Sequence, residues 1–186
     1  MVRENLMKNI IAPMLLGMSL VGCGASTPIK QGDDGLALRK SEPIQIYMGA
    51  CVASRASASG VKSQAKKMGF TPLSGQGAQQ YLSGNSGLAW KKTSGNDNYG
   101  LALLGNGLCS VFIHQGSPET LQASMEAWLP PANSGFTYDK KIISSRGHLT
   151  TTQYQIFRSG VLEEQWVITT NSQPNSELVA VMSYDG

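Results

Sequence analysis

The sequence predicts a single α+β domain in which two helices pack on an antiparallel sheet. Short stretches of strand length recur between turns rich in glycine, asparagine and serine. Two segments with a helical apolar spacing stand apart from these strands, and residues 43–186 are about as long as one ordinary domain. The predicted order is therefore one helix, three strands, a second helix and four further strands.

The first helix is predicted over residues 52–68, where small apolar residues form a narrow stripe. Lys66 and Lys67 lie in its last turn, where the helix dipole favours cations. Gly69 is expected to end the helix in a left-handed conformation, with Phe70 packing back on the last turn. The following residues, 73–87, are rich in glycine, serine and glutamine and predict a loop with a short helical turn at 78–82.

The first three strands are predicted at residues 88–92, 99–104 and 108–114. A polar turn at 94–98 separates the first pair. The second pair is joined through Asn106-Gly107, a dipeptide that readily adopts the positive φ angles of a tight hairpin turn. These three segments are therefore expected to form an antiparallel meander.

The second helix has the strongest local signals in the chain. Ser117 is a suitable N-cap, Pro118 suits the first helical position, and Glu119 lies where the helix dipole favours an anion. The apolar residues of this segment recur at helical spacing and would form one buried face: Leu121, Met125, Trp128 and Leu129.

The remaining chain predicts four strands, at residues 136–145, 149–159, 161–170 and 178–184. Arg146-Gly147-His148 and Ser159-Gly160 provide the first two turns, and a loop rich in proline, asparagine and serine provides the third. The sheet is thus expected to contain seven strands.

Residues 1–22 have the pattern of a secretion signal. Arg3 and Lys8 supply positive charge, and an apolar run follows from residue 10 to residue 21. A run of about 12 residues is too short to cross a bilayer, which needs about 20. The segment is therefore predicted to direct export and to be removed.

The motif Leu20-Val21-Gly22-Cys23 resembles the lipobox of bacterial lipoproteins. The resemblance implies cleavage before Cys23, palmitate-type acylation of this residue, and attachment to the membrane through the lipid. Because Gly24 and not aspartate follows the cysteine, the resemblance favours the periplasmic face of the outer membrane. The inner membrane and the cell surface remain alternatives. Residues 23–42 are expected to be a flexible tether between lipid and domain.

Two cysteines remain after Cys23, namely Cys51 and Cys109. In an oxidising periplasm, an even pair is most simply read as a disulfide. A redox-active pair is the alternative, although such pairs usually occur as Cys-x-x-Cys. The wide spacing favours a structural bridge between the first helix and the third strand.

The domain also resembles a family of uncharacterised proteobacterial periplasmic proteins. The resemblance rests on Ala50-Cys51-Val52 opening a helix that ends in Gly69-Phe70, on Ala89-Trp90, and on Leu108-Cys109-Ser110-Val111. It covers the first half of the domain. It implies the α+β fold and a Cys51–Cys109 bridge, and it implies no activity.

The sequence offers little support for catalysis. His114 and His148 are the only histidines, and no nucleophile motif accompanies either of them. Glu163 and Glu164 are adjacent on one strand, so their side chains are expected on opposite faces. No cluster of metal ligands and no glycine-rich phosphate loop is present, so no metal and no cofactor is expected.

The charge balance gives no reason to expect a nucleic-acid partner. Of the 15 basic and 12 acidic residues, Arg3, Lys8 and Glu4 precede Cys23, which leaves 13 and 11 in the exported chain. A nearly neutral protein without a basic run lacks the electrostatic footprint of nucleic-acid binding.

These observations favour a non-enzymatic binding or accessory subunit of an envelope assembly, attached to the membrane by lipid and contacting an envelope protein. An immunity-type inhibitor of an envelope-targeting toxin is the alternative, and an envelope hydrolase is a weaker one. The candidate surfaces for partner contact are the exposed edge of the sheet and the basic face formed by Arg55, Lys62 and Lys66.

Overall fold

The computed structural model describes residues 33–185, which form an α+β fold with one eight-stranded antiparallel sheet. The helices described are α1 (Asp33–Lys40), α2 (Glu42–Ile46), a π-helix (Tyr47–Val52), α3 (Ala58–Lys67), α4 (Gly75–Leu82) and α5 (Pro118–Glu126). The strands described are β1 (Thr71–Leu73), β2 (Gly87–Ser94), β3 (Asp97–Leu104), β4 (Cys109–Ile113), β5 (Phe136–Arg146), β6 (Leu149–Arg158), β7 (Val161–Asn171) and β8 (Ala180–Asp185).

The fold class, the antiparallel sheet and the disulfide are confirmed, whereas the predicted number of elements is wrong. All seven predicted strands are present, and β1 adds an eighth strand that the sequence did not reveal. β1 is only three residues long and contains Pro72, so it has neither the length nor the composition of a recognisable strand. The expected helical turn at 78–82 extends into helix α4.

The segment preceding the predicted domain is more ordered than expected. Residues 33–42 were expected within a flexible tether, but they form α1 and the start of α2. Arg39 Nε donates to the carbonyl oxygen of Ala127 over 2.6 Å, and its guanidinium lies 5.9 Å from the ring centre of Trp128. The Ser41 hydroxyl lies 3.2 Å from that of Ser124. These contacts hold the segment against α5.

The predicted single helix over 52–68 is wrong at its amino end. The π-helix continues α2 as far as Val52, and α3 begins only at Ala58. Between them, Arg55 and Ala56 have positive φ angles of 48° and 50°, which an α-helix does not accommodate. The Ser54 hydroxyl donates to the carbonyl oxygen of Ala50, so a local side-chain bond accompanies the break.

The helix ends predicted at Gly69 and Ser117 are confirmed, whereas in the turn at Asn106-Gly107 only Gly107 has the expected positive φ. Gly69 has a φ of 79°, and the Phe70 amide donates to the Ala65 carbonyl oxygen over 2.9 Å, which closes α3. At the start of α5, the Ser117 hydroxyl oxygen accepts from the Thr120 amide over 3.1 Å. Both ends depend on contacts within a few residues.

The strands are arranged in the order β1-β2-β3-β4-β8-β7-β6-β5. Strands that follow one another in sequence pair within the two meanders β1–β4 and β5–β8, with α4 lying between β1 and β2. The last strand, β8, inserts between β4 and β7 and joins the meanders into one sheet. As a result β1 and β5 are the two edges.

The principal core lies between one face of the sheet and a layer made of α2, the π-helix, α3 and α5. Its largest fully buried side chains include Tyr47, Ile44, Met125, Leu101 and Met182. Among the described residues, α4 covers part of the opposite face, over β2, β3 and Phe112 of β4. There Ala78 and Leu82 of α4 pack on Ala89 and Ala102 in a second, small apolar cluster.

The Cys51–Cys109 disulfide links the helical layer to the sheet. Cys51 lies in the π-helix and Cys109 is the first residue of β4, and both are fully buried. Their Cα atoms are 5.5 Å apart. The bridge therefore lies inside the principal core, as expected of a structural disulfide.

Candidate protein-binding surface

The two edges of the sheet differ in length and in composition. β1 offers three residues, and Pro72 at its centre has no amide hydrogen to donate to another strand. β5 offers eleven residues. A long edge strand presents unpaired backbone donors and acceptors that another strand can use. Of the two edges, only β5 has the length needed for strand addition.

β5 is solvent-accessible along its whole length, and no residue in it is buried. Three of its large apolar side chains are substantially exposed: Ile142 at 61%, Ile143 at 48% and Tyr138 at 44%. Leu149, at the start of the neighbouring strand, is exposed as well. An edge with exposed isoleucines at its centre is characteristic of a surface that another polypeptide covers.

One carboxylate holds β5 to the helical layer. Glu126, the last residue of α5, accepts three hydrogen bonds at Oε1: from Tyr154 Oη over 2.6 Å, from Lys140 Nζ over 2.7 Å and from Gln122 Nε2 over 2.9 Å. Lys140 belongs to β5 and Tyr154 to β6. The cluster therefore positions the edge strand while its outer backbone groups stay accessible.

Ionisation of Glu126 is favoured by these partners. Burial by itself raises the pKa of the carboxyl group, but the hydrogen bonds from Lys140, Tyr154 and Gln122 outweigh it and lower the pKa below its ordinary value. Burial, together with the bond to the carboxylate, raises the pKa of the Tyr154 hydroxyl. At physiological pH the Glu126 carboxylate therefore accepts hydrogen bonds from the Lys140 ammonium group and from the neutral Tyr154 phenol.

The opposite end of β5 is held by packing. Phe136 contacts the principal core, and the guanidinium of Arg158 lies 5.5 Å from the centre of its ring. Phe136 and Lys140 thus attach the first half of the strand. Ile142 and Ile143 lie beyond the last of these attachments.

A β-bulge interrupts β5 at Ile143. Ile142 pairs with Thr152 and Ser144 pairs with Thr151, so Ile143 is an extra residue without a partner on β6. Bulges, lysines and charged residues are devices by which proteins restrict edge pairing. Lys140 and Lys141 directly precede the isoleucines, so this edge has both a bulge and charged residues next to its apolar side chains.

An apolar cleft of about 320 Å³ opens on the helical layer. Met48, Val52, Met68 and Trp128 supply its apolar wall, and Gly49 of the π-helix leaves room for the Met68 side chain. π-Helical turns are frequent at functional sites. The cleft adds a second accessible apolar surface, on the helical layer.

A polar cleft of about 440 Å³ surrounds His114 at the end of β4. The Nδ1 atom of His114 lies 2.5 Å from the carbonyl oxygen of Glu177, so Nδ1 carries the hydrogen. Its Nε2 atom is buried without a hydrogen-bond partner among the described residues. A lone imidazole can accept a proton, but nucleophilic catalysis also needs a side chain for it to activate, and none is bonded to it in the described chain.

The other residues singled out from the sequence are dispersed. Arg55 lies in the turn before α3, whereas Lys62 and Lys66 are one helical turn apart on α3, and all three are exposed. His148 lies in the exposed turn between β5 and β6. Cys23 and the residues before it lie outside the described range.

The sequence indicated that an exposed sheet edge was a candidate surface, but it did not indicate which strand would form it. The residues missed are Tyr138, Ile142 and Ile143. The adjacent isoleucines between Lys141 and Ser144 were the available signal, since strict alternation fails there.

Within residues 33–185, no three His, Cys, Asp or Glu side chains cluster closely enough to hold a metal ion. The helices of the same segment include none with the length and apolar character of a membrane span.

Comparison with known proteins does not assign this chain to a family: no protein-family model, no curated protein and no solved structure matches it.

Proposed function

We propose that this chain is a lipid-anchored envelope protein that serves as a non-enzymatic binding subunit, and that it joins its partner protein by strand addition at β5. The observation that carries the proposal is the eleven-residue edge strand, which has no buried residue and has Ile142 and Ile143 near its centre. Strand addition would satisfy its outer backbone groups and cover both isoleucines.

The way in which β5 is held supports this mode of binding. Adding a strand to a mobile segment costs the entropy of ordering that segment. The Glu126 cluster and the packing of Phe136 order β5 in advance, so a partner meets a strand that is already extended. Preorganisation of this kind increases affinity without additional contacts.

The anchor in this proposal is Cys23 within Leu20-Val21-Gly22-Cys23, at the periplasmic face of the outer membrane. One acyl chain binds a membrane only marginally, whereas two or more give a lasting attachment. An anchored subunit meets its partners within a thin layer, where weak interfaces are occupied more fully than in solution.

Photo-crosslinking in living cells tests the proposal. A photoreactive amino acid is placed at Ile143 of the full chain, and Leu88 is the matched control because it is also an apolar strand residue with a similar exposed fraction, 44% against 48%. We expect a discrete protein adduct from position 143 and none from position 88. If position 143 gives no protein adduct at native expression, binding at β5 is wrong.

Two variants refine this experiment. Ile142→Lys combined with Ile143→Lys should abolish the adduct captured from a photoreactive residue at Tyr138, because lysines at the centre of an edge oppose pairing. Cys23→Ala is the control for the anchor and should lose both palmitate labelling and recovery with the membrane fraction.

A further inference from the structure

We propose that the strand added to β5 is β5 of a second copy of this chain, paired antiparallel about a two-fold axis, so that two eight-stranded sheets join into one. This inference rests on the proposed binding role of β5 and names the partner. It is argued from the bulge, from the side chains that the bulge brings opposite one another, and from the exposed isoleucines.

The bulge determines which residues of two β5 strands can face each other. Lys141 pairs with Gln153 of β6 and Ser144 pairs with Thr151, two residues further along. Two residues of β5 whose partners on β6 are two positions apart have side chains on the same face of the sheet. Their backbone N–H and C=O groups also point toward the same neighbouring strand. Lys141 and Ser144 are therefore equivalent in orientation, although they are three residues apart in sequence.

In an antiparallel pair of identical strands, opposed residues must share a face and an orientation. Without a bulge, residues an even number apart meet this condition. The extra residue at Ile143 changes the condition for any pairing that crosses it, because opposed residues are then an odd number apart, and Lys141 can oppose Ser144 of the second copy. The two-fold axis then passes between Ile142 and Ile143.

This register brings complementary side chains together. Asp139 opposes Arg146, Lys140 opposes Ser145, and Ile142 opposes Ile143, and the symmetry produces each pair twice. Opposite charges directly across two strands stabilise the pairing and like charges destabilise it. The neighbouring register that also keeps like faces opposed has its axis between Ile143 and Ser144, and it would oppose Lys141 to Arg146 twice.

The apolar contacts lie at the same centre. Ile142 and Ile143 are 61% and 48% exposed in the single chain, and in the pair they would meet their counterparts next to the axis. The other edge cannot substitute, since β1 is short and contains Pro72. Lipid anchoring would favour this small interface, because it confines both copies to one surface and raises their effective concentration.

Register-specific disulfide trapping tests the inference in the full, lipidated chain. Lys141→Cys and Ser144→Cys are made in differently tagged copies and expressed together in the envelope, followed by mild oxidation. A disulfide requires Cα atoms within about 7 Å. Opposed residues meet that limit, whereas position 141 of one copy and position 141 of the other would lie about two residue steps apart along the pair, about 7 Å at ~3.4 Å per residue, in addition to the separation of about 5 Å between the strands. We expect the mixed pair to form a disulfide-linked dimer and each variant expressed alone to form almost none.

A charge exchange provides the second measurement. Asp139→Arg would place like charges opposite each other twice and should weaken dimerisation roughly tenfold, about what losing two cross-strand pairs implies. Asp139→Arg combined with Arg146→Asp should restore the dimer. Both side chains are exposed, so the melting temperature of each variant should equal that of the parent chain within error.

Each outcome bears on the inference. A mixed-pair disulfide with charge rescue supports it. Disulfides that form equally within each single variant would indicate another register and overturn it. If no chain-to-chain disulfide forms but Ile143 crosslinks to a different protein, the inference is wrong and the proposed function stands. If neither product appears, both are wrong.

Discussion

The two halves of the sheet differ in how they are covered. In β3, five consecutive residues are buried, because α4 packs on one face and the principal helical layer packs on the other. In β5, none of the eleven residues is buried. The sheet is continuous, so the difference does not come from backbone pairing. It comes from the helices, which protect both faces of the first half and only part of one face of the second.

This difference separates two roles within one small domain. The half formed by β1–β4 contains the small apolar cluster, Cys109 of the disulfide and part of the principal core, and we expect it to supply most of the free energy of unfolding. The half formed by β5–β7 joins the principal core through Tyr154, Ile156, Trp166 and Ile168 of β6 and β7, whereas its edge strand β5 is attached through Phe136 and Lys140. We expect changes at its edge to alter binding and to leave stability nearly unchanged.

Removal of the disulfide should have the largest effect. In the chain-entropy model, a bridge closing a loop of 58 residues stabilises a fold by about 4 kcal/mol, so Cys51→Ala with Cys109→Ala should lower the free energy of unfolding by about that amount. Urea unfolding of the oxidised chain and the double variant measures the difference. A loss below about 1 kcal/mol would show that the covered half is stable without its cross-link.

Two replacements of a large side chain by alanine, one in each half, compare the halves directly. Leu101→Ala, in the fully buried centre of β3, should cost about 3 kcal/mol because it leaves a cavity in the principal core. Ile142→Ala, in the exposed edge, should change the free energy of unfolding by less than about 0.5 kcal/mol. The comparison is made with the monomeric domain in urea. Equal losses at the two positions would contradict the division proposed above.

A smaller effect than that of the core truncation is expected at the link between the halves. Glu126→Gln replaces a charged acceptor of three hydrogen bonds with a neutral one and should cost about 1.5 kcal/mol at pH 7. Since the folded state lowers the pKa of Glu126, the stabilisation is present above the ordinary value of 4.5 and is lost as pH falls through the lowered pKa.

Urea unfolding at several pH values checks this sign. The difference between the parent chain and Glu126→Gln should be largest at pH 7 and should shrink as the pH falls below about 4.5. Glu163→Gln, in the exposed part of the same half, is the control and should show no such difference. If the difference in free energy of unfolding between the parent chain and Glu126→Gln increased on acidification, an ionised Glu126 would be ruled out as the source of the stabilisation.

Features that depend on contacts between residues close in sequence could be predicted, whereas features that depend on contacts between distant residues could not. Ser117 and Gly69 were interpreted correctly because each acts on backbone groups a few residues away. The Cys51–Cys109 bridge followed from counting cysteines. By contrast, the position of β5 at the edge depends on β8 inserting between β4 and β7, and local periodicity contains no information on that order.

The candidate site was less predictable for the same reason. Glu126, Lys140 and Tyr154 meet from three different elements, and none of them is distinctive in the sequence. The helical character of residues 33–42 depends on Arg39 and Ser41 contacting α5, so the composition of that segment alone predicted a tether. The bulge at Ile143 is visible only once β6 is laid beside β5.

The buried disulfide also determines how the domain would respond to mechanical force. If the chain is held at its amino end and its partner pulls on the sheet, tension would first peel α1, α2 and the π-helix as far as Cys51. At that residue the covalent bridge would carry the load directly to Cys109 on β4, a central strand bordered by β3 and β8. The segment between the two cysteines would bear no tension, and further extension would require β4 to slide past both neighbours at once.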